Sequence, residues 1–305
     1  MEVEGVRSKM SLTGALAPTF LLCLLLTGCR LATHKLPIPS TPPIVQTATA
    51  DELVRQLNER WNALDSMYVN VEIQAGALKT KRDKEKNIRT FPAIIMMRKP
   101  EMLRVYARVP VIGTQMFSVA SDGRNFTLYI PSEHVAYQGP VELTKKSPNS
   151  IENMRPGFFF DAIAVRGLSA QDFSAVTSDV ETIETPDKKG LLSMPEYVLS
   201  ITHHDPASNR DMPVRVVTFH RDDLLPYQQD LYDRNGVLET QVSYAQYADF
   251  GQYKYPSVIE IWRPLEERKL VMTVQKMQEN PVEPKLTDDQ FKINLPEGTT
   301  IHQLE

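Results

Sequence analysis

The feature that most restricts this chain is its two-residue rhythm. From Met67 on, Val69, Val71, Ile73 and Ala75 alternate with Tyr68, Asn70, Glu72 and Gln74. A period of two puts one face of an extended strand on a core and leaves the other in water. The rhythm returns in "AIIMMR", "MLRVYARV", "TQMFSVAS", "NFTLYIP" and "HVAYQG", and again in "YVLSITHH", "PVRVVTFHR", "YQQDLYD", "LETQVSYAQY", "SVIEIWRP" and "KLVMTVQKMQ". The breaks between strands are short. Lys99-Pro100, Asp122-Gly123, Pro131-Ser132 and Asp233-Arg234-Asn235-Gly236 all have turn chemistry. Such breaks leave no room for crossover helices, so the expected fold is an antiparallel meander of roughly ten to twelve strands. "FKINLPEG" closes the chain as a last short strand, and a hairpin tip or solvated strand accounts for the charged "KTKRDKEKNIRT".

Two stretches break the rhythm. Thr49 and Glu52 have capping-box spacing, and Leu53, Leu57, Trp61 and Leu64 recur as one apolar stripe with Val54 beside it. This predicts a helix from about Ala50 to Ser66 that covers a sheet face. In the middle, "SPNSIENMRPGFFFDAIAVRGL" alternates weakly, breaks at Pro156-Gly157 and holds Phe158, Phe159 and Phe160 in a row. It suggests two short helices flanking a bend, with the phenylalanines buried. The acidic "SDVETIETPDKKG" follows as a connection, and its Glu181–Lys189 part is a possible boundary between subdomains. One β-rich domain from residue 50 to residue 305 is otherwise expected.

The N-terminus sets the compartment. Arg7 and Lys9 precede an apolar run from Leu12 to Leu26. At roughly 15 residues the run is short for a bilayer span, which takes about 20. A basic start, a short apolar core and small residues before a break describe an export signal. Glu2 and Glu4 are unusual there, and a start at Met10 would remove the positive charges. The chain holds two cysteines, Cys23 inside the apolar run and Cys29 at its end. Removal of the signal would leave a chain with no disulfide. The next stretch, "LATHKLPIPSTPPIVQTATA", is proline-rich and reads as an extended tether that could reach roughly 60 Å. The expected organisation is thus a signal at 1–28, an anchor and tether at 29–49, and the folded domain beyond.

Little in the chain suggests catalysis. His203, His204 and Asp205 are adjacent, but neighbours on a strand point to opposite faces and cannot chelate together. The His220-Arg221-Asp222 triplet lacks the phosphate loop and metal-binding segment that would accompany it in a kinase. There is no Gly-x-Ser-x-Gly elbow and no Walker or dinucleotide-binding loop. No cofactor, metal or catalytic residue is therefore expected. The net charge of −4 with interspersed signs argues against nucleic acid as a partner.

Two resemblances extend this reading. "LTGC" (Leu26 to Cys29) resembles the lipobox of bacterial lipoproteins, which implies a lipid on Cys29 and cleavage before it. An ordinary signal peptide with an incidental cysteine is the alternative. Arg30 after the cysteine implies, by analogy with Gram-negative sorting, the periplasmic face of the outer membrane. The body resembles the LolA/LolB-like superfamily of lipoprotein carriers and receptors. The likeness is carried by Arg98 to Gly139, with its Pro, Leu-Arg strand, short apolar loop, Asp-Gly turn and Tyr-x-Gly, and by "QQDLYDRNGVLETQVSYAQY" and "YPSVIEIWRP". It implies a mainly β fold, a strongly curved antiparallel sheet or unclosed β-barrel wrapped round a few helices. It also implies a non-enzymatic role in binding lipid acyl chains or lipoproteins, with a periplasmic carrier or other envelope protein as a further partner. Leu103, Val105, Phe117, Val119, Phe126, Leu128 and Ile130 would line the acyl cavity, or else form a filled core. Val111 and Ile112 would be the tip of the loop that meets membrane or cargo, or else an ordinary turn packed inward. A structural or assembly lipoprotein that binds envelope proteins without lipid cargo is the competing role.

Overall fold

The computed structural model divides the chain into two units, 1–39 and Ser40–Glu305. It describes residues 40, 44–77, 89–142, 156–185, 190–250, 253–279 and 285–304, all in the second unit. The signal, Cys29, most of the tether and nearly all of "KTKRDKEKNIRT" lie outside the described residues.

Among the described residues fourteen strands form one sheet. A first meander holds β1 (Ser66–Ala77), β2 (Arg89–Arg98), β3 (Met102–Arg108), β4 (Gln115–Ser121), β5 (Asn125–Ile130) and β6 (Val135–Pro140). A second holds β7 (Asp172–Glu184), β8 (Leu191–Asp205), β9 (Arg210–His220), β10 (Pro226–Tyr232), β11 (Leu238–Phe250), β12 (Tyr253–Arg263) and β13 (Arg268–Glu279). Antiparallel pairing of β1 with β13 joins the two meanders edge to edge. The last strand, β14 (Thr300–Gln303), adds to β6 in parallel. The order runs from β14 at one edge to β7 at the other, and the curved sheet is unclosed.

Alternation decides which side faces in. In β1, Met67, Val69, Val71 and Ile73 are buried, as are Ile95 and Met97 of β2 and Leu103, Val105 and Ala107 of β3. These side chains form one cluster with Val242, Tyr244, Ile259, Ile261 and Met272 from the second meander. Helix α1 (Ala50–Ala63) opens with the capping box expected from Thr49 and Glu52. It buries Leu53 and Leu57 against Tyr197, Leu199, Ile201, Val217 and Phe219 of β8 and β9. The helix is shorter than expected because Leu64 is already extended and Ser66 begins β1. Helix α2 (Gly157–Ile163) is apolar except for Asp161, and all three phenylalanines are buried in the main cluster. A helix of that kind needs an enclosing wall, which the sheet supplies. Of the two helices expected here, only α2 falls among the described residues.

Three expectations need correction. The acidic segment before Lys189 is not a connection, because residues 172–184 form edge strand β7 within the same sheet, and no subdomain boundary falls there. An edge strand exposed on both faces has no reason to alternate. The end of the chain also differs. A second capping box, Thr287 with Gln290, starts a 3-10 turn over Asp288–Phe291, and the strand comes later at Thr300–Gln303. Leu286 and Phe291 instead cover Tyr68, Met96 and Met102 on the outer face. Gly139 lets the end of the chain lie close: a Cβ there would fall 2.7 Å from the Leu304 carbonyl oxygen. Finally, the sheet has more strands than the rhythm alone revealed.

Candidate functional site

The inner face of the sheet is the natural place for a ligand, and its chambers differ along its length. Beneath α1 and α2 lies an apolar pocket of about 210 Å³. Its walls include Leu57, Trp61, Ile163, Tyr244, Tyr247 and Tyr255. The tyrosines come from a local irregularity. Tyr244 pairs with Ile259 and Tyr247 with Pro256, while Gln246 between them has φ +55° and is skipped by the ladder. The register with β12 does not shift there, so this is a local left-handed twist of the backbone, and both Tyr244 and Tyr247 border the pocket although plain alternation would oppose them. The Tyr255 hydroxyl donates to the Ile163 carbonyl at 2.7 Å, and that of Tyr247 donates to the Pro226 carbonyl. Burial pushes the phenol pKa of all three tyrosines upward, so they remain neutral walls. At the rim the Arg60 guanidinium holds Glu279 in a two-pronged ion pair at 2.5 and 2.8 Å.

The seven residues expected to line an acyl cavity are brought together, but under cover. Leu103, Val105, Val119, Phe126 and Leu128 are buried in the main cluster with the α2 phenylalanines, and Phe117 and Ile130 pack against it half-buried. None of the seven borders the 210 Å³ pocket, whose sheet wall comes chiefly from the second meander. Sequence reading missed Trp61, Tyr244, Tyr247 and Tyr255 as site residues. The only signal was the close spacing of tyrosines in "YAQY" and "YKY", and the left-handed Gln246 within the first pair left no trace in the pattern.

At the far end of the inner face the walls turn polar. A cleft of about 850 Å³ is bordered by Phe158, Asp161, Leu231, Thr240 and Arg263. Arg263 is buried, lies over the Phe158 ring at 5.1 Å, and is balanced by Glu266 at 3.0 Å and Glu239 at 3.5 Å. Between this cleft and the apolar pocket lies a third chamber of about 430 Å³.

The Val109–Thr114 turn stands apart from the inner face. Val109 N–H donates to the Thr114 carbonyl at 2.8 Å, and Gly113 N–H to that of Val109 at 2.9 Å. The tight turn carries Val111 fully exposed and Ile112 73% exposed. Neither packs inward. Val111 sits at φ +68° and Gly113 at φ +76°. The adjacent histidines face separate partners, His203 Nδ1 at 2.8 Å from Asp172 and His204 Nδ1 at 2.8 Å from Asp211. Among the described residues no helix is long and apolar enough to cross a membrane.

A single unclosed sheet folded over two helices, with pockets on its inner side, defines an open-sheet class of protein. Its members include solved structures of LolA-like fold. The chain superposes on a LolA superfamily protein of Nitrosomonas europaea with a TM-score of 0.51 and 17% identity, over 81% of this chain and 99% of that one. A DUF1329 family protein of Desulfovibrio piger gives a TM-score of 0.50 and 14% identity, over 80% of this chain and 95% of that one. The resemblance to the LolA/LolB-like group is thus present in the fold. No family model matches the chain, and no curated protein matches it in sequence.

Proposed function

We propose that this chain is a lipid-anchored, non-catalytic lipoprotein of the bacterial envelope that binds acyl chains of lipids or lipoproteins on the inner side of its sheet. It acts in lipid or lipoprotein localisation, on the periplasmic face of the outer membrane. The observation that carries the reading is the apolar, tyrosine-walled pocket enclosed by α1, α2 and the sheet, on a fold shared with a LolA superfamily protein. Each buried methylene contributes about 0.8 kcal/mol, so capture of a chain needs no covalent step. The pocket is below the roughly 300 Å³ where drug-sized sites begin, so it takes part of an acyl chain as it stands. The apolar Val111–Ile112 tip supports a role for that loop at a membrane or a lipid-loaded partner.

The test is lipid extraction from the purified full chain followed by mass spectrometry, with displacement of a fluorescent fatty acid as a second readout. Retained diacyl lipid and saturable displacement are expected. Lipid-free protein that binds no acyl probe overturns the reading. It would favour an assembly lipoprotein that binds proteins, a role consistent with the covered state of Leu103, Val105 and their neighbours. For the anchor, Cys29→Ser should move the protein from the membrane fraction to the soluble or uncleaved one, with loss of labelling by a palmitate analogue. Unchanged labelling would remove Cys29 as the attachment site.

A further inference from the structure

The 430 Å³ chamber is chemically unlike the apolar pocket beside it. Its wall holds Trp61, Asp161, Arg166, Asp172, Arg215 and Gln229. Most of the charges there are matched. Arg166 bonds Asp161 at 2.5 Å and Glu101 at 2.6 Å. Asp172 is held by His203 and by the Ser169 N–H at 2.7 Å.

Arg215 is the exception. It is only 7% exposed. Its Nη1 donates to the Arg166 carbonyl at 2.5 Å and its Nη2 to the Gly167 carbonyl at 3.0 Å. No carboxylate among the described residues lies within ion-pair distance of it. A guanidinium has five N–H donors and stays charged even when buried, so Arg215 keeps both charge and donors to offer. Asp161 and Asp172 offset this charge only from a distance, since each is bonded to another partner, so an anion in direct contact with the guanidinium is favourable.

Gln229 supplies the second half of the site. It is 1% exposed and borders the same chamber. Its Nε2 donates to the Asp161 carbonyl at 2.9 Å and reaches the Tyr244 hydroxyl at 3.4 Å. Its Oε1 is buried and accepts no hydrogen bond from the described residues. A buried acceptor of this kind selects for a donor.

The third element is adjacency. Trp61 borders both the apolar pocket and this chamber, and Gln229 touches Tyr244, a wall of the apolar pocket. A molecule with its tail among the tyrosines would therefore have its head within reach of Arg215. We propose that the Arg215–Gln229 chamber receives the polar head of the bound lipid: a phosphate or carboxylate that accepts from the Arg215 guanidinium and carries, a few bonds away, an N–H or O–H that donates to Gln229 Oε1. This rests on the acyl-binding reading above and assigns the headgroup class to it. A phosphoethanolamine head meets both demands, whereas a diacylglycerol has no anion to give.

The test offers the full chain a mixture of phosphatidylethanolamine, phosphatidylglycerol and diacylglycerol with identical acyl chains, in detergent micelles. Retained lipid is quantified by mass spectrometry. A second arm follows thermal unfolding with millimolar O-phosphoethanolamine or inorganic phosphate. Phospholipid should be retained about tenfold or more over diacylglycerol, the effect of a hydrogen bond to a charged partner. Arg215→Met should collapse that ratio while diacylglycerol retention stays the same, and Gln229→Met should weaken retention of both phospholipids, whose heads each carry an N–H or O–H donor. Equal retention of all three lipids overturns the headgroup site and leaves acyl binding standing. Stabilisation by the soluble head without any lipid retention supports the site and overturns the acyl reading. If no lipid and no soluble head binds, both fall. Should the variants fail to fold, the selectivity of the unaltered chain still decides.

Discussion

At Val111 the backbone takes φ +68°, a region that crowds the Cβ of a branched residue against the chain. The left-handed conformation costs roughly 1–2 kcal/mol for an L-residue, part of which glycine would recover before its own entropy loss. Val111→Gly is therefore expected to stabilise the chain by about 0.5–1 kcal/mol, read as a higher denaturant midpoint; a lower midpoint would show that the turn is not strained. The present residue keeps an apolar side chain in water on a strained backbone, a combination that packing alone does not require. A second residue-scale conflict lies across the sheet from α1. Glu196 is buried, accepts a hydrogen bond from the Tyr227 hydroxyl, and has Asp179 and Glu181 near it. Burial, reinforced by those two acids, holds its carboxyl above the usual value of 4.5 in spite of Tyr227. The folded state thus binds this proton more tightly than the unfolded chain. The resulting stability is complete below pH 4.5 and is lost as pH rises through the elevated value. Glu196→Gln keeps an acceptor for Tyr227 and removes the charge, so it should raise stability at pH 7.5 and change little at pH 4. Urea unfolding at both values checks this, and an equal effect at the two would count against it. His220, stacked on Tyr227 at 3.7 Å, has the opposite sense. Burial lowers its pKa against the pull of Asp222, Asp223 and Glu181, so its cost appears on acidification below about 6.5.

Among the elements, those with one dry face were legible. β1, β2 and β3 alternate because each buries one side, and α1 shows its stripe because Leu53 and Leu57 meet β8 and β9. What stayed hidden was whatever lacks such contrast. β7 is exposed along most of both faces, so its pattern carries no period. β14 is four exposed residues fixed by pairing with β6 and by the room that Gly139 leaves. The tyrosine wall goes with a left-handed residue at Gln246, and a polar residue in a strand announces no such twist. Arg215 and Gln229 look like ordinary outward positions until α2 and the 166–169 segment close over them. α2 was legible for the reverse reason, since three adjacent phenylalanines can only be buried. Phe160 is among the largest fully buried side chains and meets Trp61 edge-on at 6.1 Å. Phe160→Ala should cost about 3–5 kcal/mol. A substitution that lowers the melting temperature only slightly would mean that α2 is a loosely held cover, not a packed plug.

At the scale of the whole molecule, pairing of the first strand with the thirteenth makes one sheet of two meanders and leaves its outer strands at the rims. The β14 rim is short. The β7 rim runs thirteen residues, and among the described residues only β8 pairs with it. A row of outward N–H and C=O groups of that length is a template for another strand. Phe173 and Val180 on β7 are exposed as well, which adds apolar surface to the hazard. What opposes association is charge. "DFSAVTSDVETIE" holds Asp172, Asp179, Glu181 and Glu184 and no Lys or Arg, so two such edges repel when they approach. In an antiparallel pairing centred on Ser178, Asp179 would face Thr177, Glu181 would face Ala175, and Asp172 would face Glu184 at both ends. The repulsion is then direct at the two ends, with Asp179 and Glu181 adding to it between them. The double substitution Asp179→Val, Glu181→Val keeps the strand, raises its β-propensity and removes two of its four acids. It is expected to cause self-association that grows with concentration, absent from the unaltered chain under the same conditions. Sedimentation velocity across a concentration series measures it, and added salt should promote association of the unaltered chain by screening the remaining acids. If the double variant sediments like its parent at every concentration, charge is not what keeps this edge apart.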